Sequence, residues 1–330
     1  MSDLNKADFQ PTASWESLRL RAGLLSRLRS FFAQRDFLEV ETPLLSADTV
    51  IDRHLDPLQV NLFDDARSPD AGKRMWLQTS PEFAMKRLLA SGAERIYQVT
   101  RAFRGGESGE QHNPEFTIVE WYRVGDSMMT GMKLLGELAC ELLDADRMSQ
   151  VSYAEAFQRC VDINPHSATA TDLQNAAVSH GITIPDKMPI DDRDQWLNFL
   201  LATLVEPKLG VEGPEILYDY PASQAALAQV RNDQPPVAER FELYVNGVEL
   251  ANGYHELQDA SVLRERNRHT NRHREADGRY TLPEETRLLA AMEHGLPDCV
   301  GVALGFDRLV MLAVGASCLS EVIAFPIDRA

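Results

Sequence analysis

The 330-residue chain carries 33 Lys and Arg against 50 Asp and Glu, a formal net charge of −17, and 44% of it is hydrophobic. That composition fills one large core or two ordinary ones and excludes disorder as a class, while the acid excess excludes a global positive field that would gather nucleic acid without regard to sequence. Cys140, Cys160, Cys299 and Cys318 form no Cys-x-x-Cys pair, against a zinc ribbon or disulfide scaffold, and a polar stretch Met1 to Ser14 with no long apolar run anywhere points to a cytosolic chain.

Leu18, Leu24, Leu25, Leu28, Phe31 and Phe32 recur at helical spacing and predict an amphipathic helix over about Trp15 to Arg35. Phe37 to Glu41 alternates as a short strand, with Leu38 and Val40 on one face, and stops at Thr42-Pro43. Asp56 to Gly72 is polar and strand-poor. Met75 to Thr79 reads as a strand leading into Ser80-Pro81-Glu82, a helix start with Ser as N-cap, Pro in the first turn and Glu against the dipole. Ile96 to Phe103 and Glu115 to Arg123 alternate on either side of a loop of about ten residues, which predicts a long-looped hairpin.

Met132 to His180 and Asp192 to Gln229 read as mostly helical, and residues 151–237 are taken as a helical insertion. Phe241 to Val245, Asn246-Gly247 and Val248 to Ala251 give the strongest hairpin signal, because Asn-Gly supplies the positive φ of a type I′ turn. Val262 to Arg274 is a charged helix. Cys299 to Ala303 is a strand, Gly305 a turn and Phe306 to Val314 a helix.

Several groups carry chemical promise. A two-residue loop sets Val245 opposite Val248, Tyr244 opposite Glu249 and Leu243 opposite Leu250, which places Glu242 and Glu249 diagonally on one face. Such a pair either lines a solvated sheet face or shares a hard cation such as Mg²⁺. Asn252 then points the other way, and joins Glu249 only if the strand bulges or bends near Gly253. The loop from Arg104 to Glu115 mixes Gly105 and Gly106 with Glu107, His112 and Asn113, fit either to wrap a phosphate or to be a plain hairpin tip. Phe116, Ile118, Glu120 and Tyr122 share a face, where a buried Glu120 needs a partner such as a substrate cation, and an edge position in water serves equally. Arg308, in a first helical turn where the dipole disfavours a cation, is either snorkelling or held for an anion. Ser80-Pro81-Glu82 is explained as well by an ordinary helix start.

Together these pieces resemble the class II aminoacyl-tRNA synthetases. The first helix, strand and Pro43 are similar to motif 1, Phe103-Arg104 through Glu120 to motif 2, and Gly301 through Arg308 to motif 3. Ser80-Pro-Glu82, His112-Asn-Pro-Glu-Phe116, Glu249-Leu-Ala-Asn252 and His255-Glu256-Leu are similar to the lysyl-tRNA synthetase branch. Motif 1 begins near residue 15, which leaves no space for an anticodon-binding domain. The chain is thus expected to be like the truncated paralogues that aminoacylate a protein, translation elongation factor P, with β-lysine.

The resemblance implies one α+β catalytic domain over residues 1–330, an antiparallel sheet flanked by helices, homodimeric through the motif 1 segment. It implies ATP contacts at Arg104, Gly106, Glu107, His112, Asn113, Phe116, Glu249, Leu250, Gly305 and Arg308. Arg104 would hold the α-phosphate, and Phe116 and Arg308 would sandwich the adenine. Mg²⁺ would lie on Glu242 and Glu249. The β-lysine would meet Ser80, Glu82, Glu120, Tyr122, Asn252, Glu256 and Ala303, with Tyr122 and Glu256 at the distal ammonium, Glu82 at the other ammonium and Asn252 at the carboxylate. No tRNA and no membrane are expected as partners. Charging of tRNA with lysine and a non-catalytic ligand-binding role are the alternatives. Two departures stand out: Gly106 occupies the place of the usual motif 2 glutamate, with Glu107 one residue on, and Ala303 stands where the synthetases have Gly.

Overall fold

The computed structural model describes residues 9–330. They form two compact units, one running to Gly125 with Gln258–Cys299 and Ala303–Ala330, the other Asp126–Leu257 with Val300–Val302.

The first unit opens with helix Trp15–Ala33, where the Ser14 hydroxyl caps the Ser17 N–H and Leu24, Leu28, Phe31 and Phe32 form the buried face. Phe32 stacks on Tyr97, centroids 4.4 Å apart, and meets Trp121 at 5.3 Å. These contacts seat the helix on an antiparallel hairpin, Arg95–Phe103 with Glu115–Val124, registered from Arg95 opposite Arg123 to Phe103 opposite Glu115. The strand after the helix is shorter than its alternation suggests: only Leu38–Glu39 pairs, parallel to Ile96–Tyr97, and Leu38 is exposed.

A small sheet joins Leu45–Ser46, Lys73–Leu77 and Gln59–Leu62. Its last member lies in the stretch read as strand-poor; Val60 and Leu62 alternate with polar residues there, but on an edge too exposed to need strong hydrophobicity. Helix Glu82–Ala90 begins with Pro81, and not Ser80, in the cap position. The Ser80 hydroxyl still accepts the Glu82 N–H at 3.0 Å. Helices Ala260–Ala276 and Arg287–Gly295, then Phe306–Val314 after strand Cys299–Gly305, complete the unit.

In the second unit the strand order is Val248–His255, Val237–Val245, Glu215–Pro221, Ser149–Ser152, with Val230–Arg231 beside Val237–Val245. The first three are antiparallel, and Ser149–Ser152 is parallel to Glu215–Pro221. Helix Met128–Leu143 crosses so closely that a Cβ on Gly131 would lie 2.4 Å from Val300 Cγ1. Helices Tyr153–Val161, Ala170–Ser179 and Arg193–Leu200 bury Phe157, Leu173, Trp196, Leu197 and Leu200 in a second core.

Residues 192–229 are therefore helical to Lys208 and again only in the short turn Ala222–Gln224. Gly210, at φ +67°, and Gly213 turn the chain, and Ile216, Leu217 and Tyr220 then favour the buried strand that the helical reading overlooked. The antiparallel α+β architecture is otherwise as expected.

Candidate active site

The first unit gathers a buried acidic cluster. Alternation along Glu115–Val124 puts Ile118, Glu120 and Tyr122 on one face, each 2% exposed. The Tyr122 hydroxyl donates to Glu120 Oε1 at 2.5 Å, and the Ser80 hydroxyl to Oε2 at 2.7 Å. Ser80 thus bridges the start of its helix to the hairpin, which an ordinary helix start does not require. One turn apart on that helix, Lys86 Nζ donates to Glu82 Oε1 at 2.5 Å, with both side chains buried.

The cluster holds two carboxylates and one ammonium. Burial, followed by the Glu82 charge, pushes the Glu120 carboxyl up to about 7, against the opposing pull of Tyr122, Ser80 and Lys86. A cation placed beside Glu120 would reverse that balance.

The motif 2 loop carries a second group. Arg104 lies over the Phe116 ring at 4.9 Å and has Glu107 at 3.9 Å. Glu107, one residue beyond the usual place, therefore faces the arginine it would accompany, and Gly106 at φ +79° makes the turn between them. Arg308 donates from Nη2 to His112 Nε2 at 2.8 Å and from Nε to the Gln111 carbonyl at 3.2 Å. Burial first, then the Arg308 charge, holds the His112 imidazole below its usual range, so it accepts this bond as a neutral ring. Arg308 is thus folded onto the loop and does not snorkel.

Gly305 sits in the cap position of the Arg308 helix, and Ala303 is half-buried two residues earlier. Asn113 is buried and held by the protein on both sides of its amide: its Nδ2 donates to the Glu115 carbonyl and its Oδ1 accepts the Ile327 N–H at 2.9 Å. It anchors the loop through these two bonds, and one amide N–H beyond them is open to the nucleotide contact expected of it.

Asp307, in the first turn of the Arg308 helix, stands where the dipole favours a carboxylate. Its carboxylate accepts the Thr117 N–H at 2.8 Å and pairs with Arg21 at 2.6 Å, and Arg21 also donates to Thr117 Oγ1 at 2.7 Å. One buried carboxylate therefore ties together the three elements that bear the class II motifs, and only their three-dimensional meeting discloses it.

In the second unit the Asn246-Gly247 turn has the expected positive φ at both residues, +50° and +74°. Val245 faces Val248 and Tyr244 faces Glu249 as predicted, but Leu243 then faces Ala251 and not Leu250. Leu250, 2% exposed, is the extra residue of a bulge, and it supplies three residues earlier the shift expected near Gly253. Asn252 is thereby brought opposite Glu242, so that Glu242, Glu249 and Asn252 share one face. Gly253 stays in register, where a Cβ would strike the Phe241 ring at 2.4 Å.

Glu242 is 5% exposed and held by four donors. Oε2 accepts the Tyr220 and Tyr244 hydroxyls, both at 2.6 Å; Oε1 accepts Arg240 at 2.5 Å and Asn252 Nδ2 at 3.2 Å. Four donors fill the four lone-pair sites of a carboxylate, so Glu242 in this arrangement does not fit a direct metal ligand. Half-buried Glu249 has the hard oxygen donors Mg²⁺ takes, but one carboxylate is a sparse protein site. No group of three or more His, Cys, Asp or Glu suited to a metal occurs among the described residues. Glu256 is buried, and its carbonyl accepts from Gln229 at 3.1 Å.

Sequence reasoning passed over Lys86, Arg240, Tyr220 and Tyr244. Lys86 is four residues from Glu82 on one helix, and Arg240 and Tyr244 flank Glu242 at the spacing of one strand face, so those signals were readable. Tyr220 comes from another strand, and only the topology reveals it. No helix among the described residues is long and apolar enough to cross a membrane.

The family model of the class II tRNA synthetases of the D, K and N type matches residues 5–329. The elongation factor P (R)-β-lysine ligase of Edwardsiella ictaluri is 47% identical over 331 positions, covering all of both chains. Ligases of the same name from Salmonella arizonae and Salmonella paratyphi B are 46% and 47% identical over 325 positions, 98% of this chain and 99% of each relative.

Proposed function

The chain belongs to the class II tRNA synthetase family of the D, K and N type, and from that premise we propose that it is an ATP-dependent ligase that activates (R)-β-lysine and transfers it to a lysine side chain of translation elongation factor P. Full-length identity to ligases of that name supports the reaction. The observation that carries the substrate class is the buried cluster of Glu82, Glu120 and Lys86, whose excess of carboxylate over ammonium suits a diamino acid.

In the first step a carboxylate oxygen of β-lysine attacks the α-phosphorus of ATP and the bond to the β-phosphate oxygen breaks, giving an aminoacyl adenylate and pyrophosphate. In the second the acceptor amine attacks the acyl carbon, AMP leaves and the nitrogen gives up a proton. Neither step needs an enzyme nucleophile; the work is positioning and charge neutralisation.

Arg104 takes the α-phosphate, and its guanidinium already lies against the Phe116 ring on which the adenine would stack. Arg308 covers the base from motif 3, with neutral His112 as the acceptor that orients it. Glu120 and Tyr122 receive an ammonium, with Ser80 fixing the carboxylate. Asn252 and Glu256 are assigned to the amino acid, Ala303 to the wall near its α and β carbons, and Glu242 to holding Asn252 in place. Mg²⁺ is expected with ATP at Glu249, and no step is derived through it. The enzyme is read as a cytoplasmic homodimer that does not charge tRNA, the −17 net charge being a poor match for tens of phosphates.

The test is ATP–pyrophosphate exchange without any acceptor. Exchange that depends on (R)-β-lysine and falls about 100-fold in Arg104→Ala is expected. No exchange with any diamino acid would remove the adenylation reading.

A further inference from the structure

Arg274, in the last turn of helix Ala260–Ala276, is completely buried. Its Nε donates to the Tyr280 carbonyl at 3.0 Å, its Nη1 to the carbonyls of Asp52 and Leu55 at 2.8 and 3.0 Å, and its Nη2 to Asp56 Oδ1 at 2.9 Å. Arg279 reaches the other Asp56 oxygen at 2.8 Å and the His54 carbonyl at 3.1 Å. Two guanidiniums thus serve one short segment, residues 52–56, none of which has a part in the proposed chemistry. For stability alone a buried ion pair is a poor device, since well-packed apolar side chains commonly do as well or better. Its strength is in fixing one geometry, through a rigid planar fork of donors.

What that geometry fixes is visible at the other side of Asp56. Its carbonyl accepts the Gly105 N–H at 2.7 Å, and the two residues form an isolated antiparallel bridge. A Cβ at Gly105 would come within 3.1 Å of that carbonyl and 3.2 Å of Leu58 Cδ2, so any other residue would push the two segments apart by a few tenths of an ångström. Gly105 directly follows Arg104, whose own N–H is held by the Pro114 carbonyl at 2.9 Å. The contacts run unbroken from Arg274 to Asp56, to Gly105, to the residue assigned to the α-phosphate.

We infer that Arg274 is a positioning residue for ATP: acting through Asp56, it fixes the backbone at Gly105 and so sets where Arg104 meets the phosphate. The inference rests on the proposed role of Arg104. Its signature is selective, because the amino-acid cluster at Glu120 and Glu82 has no bond in this chain of contacts. ATP affinity should respond and amino-acid affinity should not.

The experiment is pyrophosphate exchange on the full-length protein at varied ATP and varied β-lysine, for Arg274→Lys, Asp56→Asn and Gly105→Ala. Arg104→Ala is the reference, and Arg264→Ala, on the same helix as Arg274 but paired with the exposed Glu285 and Glu293, is the control. Each of the three variants should raise the KM for ATP about 10-fold, with the KM for β-lysine within about two-fold of wild type, since sub-ångström misplacement of a charge clamp is felt at the group it clamps. Arg274→Lys combined with Gly105→Ala should be no worse than the worse single variant, as both break one linkage. Should Arg274→Lys fail to fold, Asp56→Asn and Gly105→Ala decide the matter. A wild-type KM for ATP in those two, or a parallel rise in both KM values, would overturn the inference while leaving the Arg104 reading intact. An unchanged KM for ATP in Arg104→Ala would instead sink that reading and the inference with it.

Discussion

Glu120 in the first unit and Glu242 in the second are both buried carboxylates that accept tyrosine hydroxyls, yet they are balanced in opposite ways. Glu242 has a guanidinium, Arg240, on one oxygen and neutral donors around the rest, so its charge is answered inside the protein. Glu120 accepts from the neutral hydroxyls of Ser80 and Tyr122 and has a second carboxylate, Glu82, nearby, whose charge together with burial outweighs the pull of Lys86, and its carboxyl is pushed up to about 7. A buried charge that the fold satisfies is a structural anchor; one that the fold leaves in deficit is a receptor for the missing charge. On the proposed function, the difference separates a group that holds Asn252 in place from a group that reads the substrate.

The sharpest way to break that comparison is to neutralise each acid in turn. Glu242→Gln takes the counter-charge from half-buried Arg240 and should destabilise the protein by about 2 kcal/mol at pH 8, seen as a fall in Tm. Glu120→Gln should do the reverse. A carboxyl whose pKa rises from 4.5 to about 7 on folding keeps its proton in the folded chain after the unfolded chain has lost it, so stability declines as pH climbs through that window. Removing the acid should therefore stabilise the ligand-free protein by up to about 3 kcal/mol at pH 8, with the gain vanishing toward pH 4.5. Equal and same-signed Tm changes for the two variants would abolish the distinction.

Function should show the mirror image. Glu120→Gln, though more stable, should raise the KM for β-lysine by about 30-fold while leaving the KM for ATP alone, because a charged hydrogen bond to an ammonium is lost. In the wild type, kcat/KM for β-lysine should rise as pH increases through about 7, where Glu120 ionises, and Glu120→Gln should flatten that limb. A limb that persists in the variant assigns the titration to another group. The smallest effect concerns Ala303. One methyl is worth roughly 1 to 3 kcal/mol in discrimination, so Ala303→Gly should narrow the preference for β-lysine over α-lysine by about 10-fold. An unchanged ratio of kcat/KM values would place the determinant elsewhere.

The two acids also differ in how much of their setting can be read along the chain. The alternation that brings Glu120 and Tyr122 to one face is local, and so is the Asn246-Gly247 turn that registers Tyr244 against Glu249. The bulge at Leu250 is not, because an apolar residue that adds one to a strand has the same composition as one that continues it. Without it Asn252 falls on the wrong face. Strand Glu215–Pro221 was hidden for a related reason: its apolar run follows helices of similar hydrophobicity, and burial on both faces erases the period of two. Asp307, Arg274 and Tyr220 meet partners about 20 to more than 200 residues away, a range at which spacing carries no information. Motifs thus marked the chemistry, while the charge balance that gives each group its role emerged only from packing.

The central claim is that the activated amino acid passes to a protein and not to RNA. Labelled (R)-β-lysine, ATP, total tRNA and purified elongation factor P, incubated together with this enzyme and then separated into protein and RNA, test it in one tube. The label should appear on elongation factor P as an amide that survives mild base, with none on RNA; label that stays with the RNA after protein is removed, and is released by base, would contradict the account.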